Sequence, residues 1–453
     1  MSFQIKLIMK RVKKMRFFSF SKRSNVVLLI LFFYALVTST VSAQNSLGLQ
    51  DAIKIALEKN YDVQVASLAL SQSHLMNSAG EAGMLPAVQL SGGFNTNNLN
   101  LQQKLSDGRV INRDAATSST YAANAGLTWT LFDGFGMFIR KKRLAGEEAT
   151  SLLSLKLQME ASIQQVIAAY FAVNVEEENL KALSELLKVD SIRLMLADAR
   201  LQSGNGSKLE LLQAKLEQNV HIAQQLERNS ALITQKENLN ILLGRDPSTA
   251  FNTADTIQLT LTTVDEQSRT TDLRLRLAEQ QKQTAFQWLK ESKSARWPVL
   301  GFNANYAYNR TENEAGLLLR NENRGPGFGF SLGWNLFDGF RISRMIKNAE
   351  LNLQIAETRL AEQITLRQQA EKKVQRDFND RIELVKIEEV SRALAEENMA
   401  IALERLRSGL SNALEMQDAQ RNYSDAVARL YAAKYNAKIS EIELLRLKGE
   451  LLK

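Results

Sequence analysis

The chain has 453 residues with four prolines, no cysteine and two histidines, which excludes disulfides, a thiol nucleophile and a zinc cluster built from His and Cys. Its net charge of +8 sits entirely in the first 43 residues, where eight Lys/Arg stand beside no acid, so the remainder balances at 49 basic and 49 acidic side chains. A neutral remainder carries no electrostatic footprint for nucleic acid.

Residues 1–43 read as a secretory signal peptide. A basic region precedes the apolar run Val26 to Val37, and Val41-Ser42-Ala43 fits the small-residue cleavage rule, making Gln44 the new N-terminus. Without a cysteine to acylate, the exported chain is expected to be no lipoprotein. From Leu49 an amphipathic stripe (Ala52, Ile53, Ala56, Leu57, Val63) predicts a helix that runs on to about Gly83, where Pro86 stops it. The period then changes to two, predicting a strand at about 86–96, a polar loop from Asn97 to Ser119 and a second strand at about 120–133. After Gly134 comes a proline-free helical pattern of 70 residues up to Gly204, then a turn and a second helix to about Gly244. A Thr/Asp-rich linker over 245–270 follows.

The same order then repeats. A helical segment runs from about Thr271 to Trp297-Pro298, strands follow at about 298–309 and 326–338 around a loop, and another 70-residue interval links Gly339 to Gly409. A last helix reaches about Lys448. LTWTLFDGF (Leu127 to Phe135) and LGWNLFDGF (Leu332 to Phe340) share seven of nine positions at an offset of 205, and SGNGSKLELLQA and SGLSNALEMQDA keep that offset at the helical turns. So the chain is an internal duplication, 44–244 and 271–453. Each Asp-Gly (Asp133-Gly134, Asp338-Gly339) marks the hand-over from strand to helix.

Strands of about ten residues with one aromatic face suit an outer membrane. Hydrocarbon demands that every backbone group be paired, so the sheet must close, and four strands are too few to close. Copies must share one barrel, eight strands in a dimer or twelve in a trimer. Helices of ~100 Å also need neighbours to cover their stripes. In the strands, Trp129 and Trp334 fall on the aromatic side, expected to meet lipid or its interface.

These residues resemble the outer membrane efflux proteins, the TolC family, over 47–450. The likeness rests on LQDAIKIALEKNYDVQVA, the doubled LFDGF and the doubled turns before LELLQA and LEMQDA, in that order and at equal spacing. It implies an α+β membrane protein whose four transmembrane strands per chain enter a shared trimeric 12-stranded barrel, continued by a long periplasmic α-helical barrel. It implies an outer-membrane exit duct for a tripartite efflux pump or type I secretion system, a homotrimer in outer-membrane lipid. The expected partners are a periplasmic adaptor and an inner-membrane transporter, with no nucleic acid. An equatorial region should form where the inter-repeat linker meets the chain end. The alternative class is an envelope-spanning structural or adhesive trimer; loops of only about 15–25 residues favour the duct.

No phosphate-binding glycine loop or nucleophile system is present, so neither an enzyme nor a cofactor is expected. The resemblance implies that Glu415 and Asp418 ring the periplasmic mouth and that an acid at Glu210 helps hold it shut. The helix-turn tips Gly204, Gly206, Gly409 and Ser411 would meet the adaptor. Local capping also explains the glutamates, since Ser207 and Asn412 each precede a Glu by three residues. Asp418, a turn deeper, is not explained by capping. Where the best-known family member has a Tyr and an Arg near the second turn, this chain has Leu406 and Ser411. Crowded acids at a narrow mouth would attract cations.

Overall fold

The computed structural model describes residues 46–260 and 272–452; the expected signal peptide and part of the linker lie outside them. Contacts divide the chain into two units. One, Leu47–Thr249 with Thr253–Lys453, carries every element labelled below, and the other adds only Ser46 and Ala250–Asn252 to the described residues.

The first helical stripe is two helices, α1 (Leu49–Lys59) and α2 (Tyr61–Met76), where one was expected. Asn60 breaks it. Its backbone is extended and its Oδ1 accepts from the amides of Asp62 and Val63, a cap that an asparagine makes more readily than it extends a helix. The break also sets the Lys59 carbonyl against Gly244, where a Cβ would lie 2.3 Å from the oxygen. The expected continuation to Gly83 instead ends at Met76.

Four strands follow: β1 (Ala87–Lys104), β2 (Val110–Phe132), β3 (Val299–Asn313) and β4 (Arg320–Gly333). They pair antiparallel in the order β1-β2-β3-β4. The two expected loops are far shorter than their composition suggested. Residues 97–104 and 110–119 pair across a tight turn closed by Leu105 N–H to Arg109 O, 2.8 Å, and only Glu314–Leu319 separates β3 from β4. These outer strand segments are mostly polar on both faces, and the few apolar residues (Leu99, Leu101, Val110, Ile111) are too short a run to give a sustained alternation. At the other end β4 stops at Gly333, five residues short of expectation. Its counterpart residues in β2 pair with β3 as far as Phe132, whereas β4 has a neighbour on one side only and β3 begins at Val299.

The long helices are α3 (Gly136–Gln202) and α6 (Arg341–Arg407), 67 residues each, or ~100 Å at 1.5 Å per residue. Each turns back into a shorter partner, α4 (Lys208–Leu242) and α7 (Ala413–Lys448), while α5 (Leu273–Ser294) packs on both long helices and α2 packs on α3. The core is a thin seam. Leu186, Leu183, Tyr423 and Val427 fill one layer and Val189, Ala402, Leu406, Met416 and Ala419 the next, joining α3 to α6 and α7. Near the middle, Leu259 of the linker packs on Val385, Ala433 and Ala437, and Lys438 Nζ donates to Gln258 O at 2.9 Å. Among the described residues no helix is long and apolar enough to cross a membrane.

Candidate functional site

Three features recur in both repeats: a two-faced sheet, a glycine-locked junction and a capped helical turn. The register puts Val88, Leu90 and Phe94 on the same face as Tyr121, Leu127 and Trp129, then Leu300, Phe302, Tyr306 and Tyr308, then Phe328, Phe330 and Leu332. Rings stack across strands on this face, Phe94 on Tyr121 at 4.9 Å and Phe302 on Phe330 at 5.2 Å. Beyond Tyr308 the same face turns charged, with Arg310 bonded to Glu312 and lying 6.0 Å from the Tyr121 ring. The opposite face, counted by alternation from Ala87 to Asn97, Ser118 to Thr130, Gly301 to Asn313 and Asn321 to Gly333, holds only Asn, Gln, Ser, Thr, Gly and Ala. No charge interrupts it.

At each junction the sequence Asp-Gly-Phe takes two consecutive left-handed residues, Gly134 and Phe135 (φ 70° and 65°) or Gly339 and Phe340 (64° and 63°). The aspartate then caps the long helix: Asp133 Oδ1 accepts from Met137 N–H at 3.1 Å, and Asp338 Oδ2 from Ile342 N–H at 2.8 Å. The phenylalanines meet edge-on in both copies, Phe132 with Phe135 and Phe337 with Phe340. The tryptophan of each repeated motif donates its indole N–H to a carbonyl in the segment between a helix and the first strand of its hairpin, Trp129 to Met84 O at 2.9 Å and Trp334, just past the end of β4, to Arg296 O at 3.1 Å. Gly134 is also packed: a Cβ there would lie 2.6 Å from Trp297 Cβ and 2.7 Å from Ser294 O, whereas Gly339 faces open space.

At the far ends Gly204 (φ 75°) and Gly409 (φ 74°) close the two turns. Gly206 lies so close to Arg200 that a Cβ would sit 2.8 Å from that residue's Cβ. Ser207 Oγ accepts from Glu210 N–H at 3.1 Å and Asn412 Oδ1 from Glu415 N–H at 2.9 Å, so the caps form. The reciprocal half of a capping box does not. Both glutamate side chains turn instead to an arginine ten residues earlier, Glu210 to Arg200 at 3.2 Å and Glu415 to Arg405 at 3.1 Å. Ser411 Oγ donates to the second oxygen of Glu415 at 2.7 Å. Asp418 lies 3.7 Å from Arg421. Each of the three acids thus has an arginine of its own chain within ion-pair reach. Leu406 is buried and its carbonyl accepts from Arg200 Nη2, tying the first hairpin to the second.

The sequence reading passed over these arginines, although RLQSG (Arg200 to Gly204) and RLRSG (Arg405 to Gly409) keep the 205 offset. It also passed over a buried polar cluster one to three turns along. Gln420 bridges the helices, donating to Asp190 Oδ1 at 2.8 Å and accepting from Arg193 Nη1 at 2.7 Å. Asp190 bonds His221, and Arg193 pairs with Glu217, both partners on α4. Asp190, Arg193 and Gln420 are all buried. One polar residue at an otherwise apolar position leaves no periodic mark, so only the three-dimensional pairing reveals it.

No curated protein is significantly similar to the chain in sequence. Solved structures are. The outer membrane protein VceC of Vibrio cholerae has 17% identity and a TM-score of 0.71 over 88% of this chain and 96% of its own. The CmeC outer membrane channel of Campylobacter jejuni has 15% identity and a TM-score of 0.75 over 89% and 85%. The MtrE outer membrane channel of Neisseria gonorrhoeae, solved in an open state, has 17% identity and a TM-score of 0.71 over 89% of each. At such identities they establish the fold. The sequence profile of the outer membrane efflux proteins matches residues 52–245 and 266–450, both repeats and nearly all of the described chain, and so the chain belongs to the outer membrane efflux protein family.

Proposed function

We propose that the chain is one protomer of a trimeric exit duct in the outer membrane. The observation that carries this is the sheet: four strands with one aromatic face, one uncharged polar face and two unpaired edges, β1 and β4. In hydrocarbon those edges must find partners, and β4 of one copy can pair with β1 of the next. Two copies would make eight strands, a barrel whose interior side chains just fill. Three make twelve and leave a lumen lined by the polar face. From Leu300 to Tyr308 the apolar band rises ~25 Å along the strand, or ~20 Å along the membrane normal at a tilt of about 40°. The Tyr308 and Arg310 level then suits the headgroups.

The helices support the same assembly. Large apolar residues recur at heptad spacing on uncovered faces, Leu209 and Leu216 with Leu226 and Ile233 on α4, Ile387, Leu394 and Ile401 on α6, as helices expecting neighbours do. The helical barrel would hang in the periplasm, with Glu210, Glu415 and Asp418 at its tip forming the gate. The turns at Gly204, Gly206, Gly409 and Ser411 would meet an adaptor that joins the duct to an inner-membrane transporter supplying energy. The inter-repeat link around Gln258 and Leu259 would form the equator. Native mass spectrometry of detergent-extracted protein, followed by planar-bilayer recording, tests the proposal. A trimer that conducts is expected; a monomer that keeps its β-structure and passes no current refutes it.

A further inference from the structure

The short β3–β4 loop is unlike the surface around it. It places three consecutive leucines, Leu317, Leu318 and Leu319, in the open at 60–68% exposure, a concentration of apolar side chains that exposed turns avoid. Its position is fixed by hydrogen bonds. Glu314 N–H donates to Thr117 O at 2.9 Å, Thr117 N–H returns to Glu314 Oε2 at 3.2 Å, and Asn313 Nδ2 donates to Leu318 O at 2.8 Å. Most telling, Leu317 N–H donates to the Gln103 side chain at 3.3 Å. Gly316 suits the turn, because its φ of 112° is one that L side chains rarely adopt and a Cβ there would stand 3.1 Å from Gln103 Oε1.

Which way the loop has folded follows from register. β1 alternates without interruption through Leu99, Leu101 and Gln103, because the bulge between Leu99↔Ala116 and Leu101↔Arg113 puts its extra residue on β2, at left-handed Ala115. Leu101 and Gln103 therefore share the face of Asn95 and Asn97, the uncharged polar face. Arg113, opposite Leu101, reaches Glu314 at 4.0 Å on that side. The loop leans over the polar face and encloses with it a cavity of about 390 Å³ lined by Leu99, Leu101, Ala116, Leu317 and Leu318 among others.

Resting on the reading of that face as the lumen, we propose that Glu314–Leu319 is an inward-folded lip which narrows the outer mouth of the duct with leucine side chains. An apolar ring across a polar water column favours local dewetting. Such a lip resists hydrated ions more than it resists cargo with an apolar surface.

The chain has no cysteine, so spin labels can be placed singly at Leu317→Cys, at Asn97→Cys on the polar wall and at Glu322→Cys on the opposite face. Double electron–electron resonance on the assembled protein should give the shortest distance between protomers at 317, undercutting 97 by roughly 10 Å or two strand spacings, with 322 the longest. A distance at 317 equal to or longer than that at 97 overturns the lip and leaves the duct intact. If 97 is no closer than 322, or no coupling between protomers is seen, the duct reading itself fails. Narrowing is tested on Asn97→Cys, timing its reaction with a bulky hydrophilic maleimide added from outside. Adding Leu317→Ser and Leu318→Ser should speed labelling several-fold; an unchanged rate refutes the constriction.

Discussion

Arg200 and Arg405 offer a comparison with its own control. Both hold the glutamate of their own turn, at 3.2 and 3.1 Å, and all four side chains are partly exposed, so each pair contributes only ~0.2–1 kcal/mol. They differ in the second guanidinium nitrogen. Arg405 Nη2 donates to Leu410 O inside its own turn at 3.3 Å, whereas Arg200 Nη2 crosses to Leu406 O on the other hairpin. A charged donor on a carbonyl contributes about 1.5–3 kcal/mol. Arg200→Ala should therefore weaken the link between hairpins by that amount beyond anything Arg405→Ala does. The resulting shift toward separated hairpins is about 10- to 150-fold per protomer. Single-channel recording in planar bilayers reads the shift as open probability, and hydrogen exchange at Ser408–Asn412 reads it without a membrane. Equal behaviour of the two variants would refute the assignment of the link to Arg200.

Two further tests use other parts of the chain. Gly134→Ala and Gly339→Ala impose the same left-handed penalty of ~1–2 kcal/mol, but the first also drives a methyl to 2.6 Å from Trp297 Cβ; thermal denaturation should show Gly134→Ala as much the more damaging, and similar melting losses would contradict the packing. Glu160 is buried, and burial pushes its carboxyl above the usual range against the opposing attraction of Arg446. With the folded pKa above the unfolded value, stability falls as pH rises through that window. Glu160→Gln should raise the melting temperature at pH 7 and lose its advantage below about pH 4, which a pH series of melts checks; no gain at pH 7 would refute a strained carboxylate.

The elements that read clearly in the sequence are those where one face is apolar and the other is not. Trp129, Phe302 and Phe328 sit on three successive strands, and the paired register keeps them on one face. Residues 97–119 failed for the opposite reason, since Asn, Ser and Thr line a strand as readily as a loop and the two leucines Leu99 and Leu101 are too short a run to show a period. Asn60 was missed because the stripe on either side of it continues in phase, while its effect lies in a cap and in the approach to Gly244. The capping spacing after Ser207 and Asn412 singled out Glu210 and Glu415 in the sequence, yet the partners of these side chains needed the turn to close before Arg200 and Arg405 came within reach.

The unpaired edges of β1 and β4 make the proposed assembly unforgiving in a genetic sense. A ring closes only if every seam between neighbours forms, so one protomer with a defective edge spoils the two sound chains beside it. In a cell expressing normal and edge-defective chains equally, random mixing leaves roughly one ring in eight wholly normal. A lesion at the β4 edge should thus be dominant, where one inside the β2–β3 pairing that unfolds the chain before assembly should be recessive.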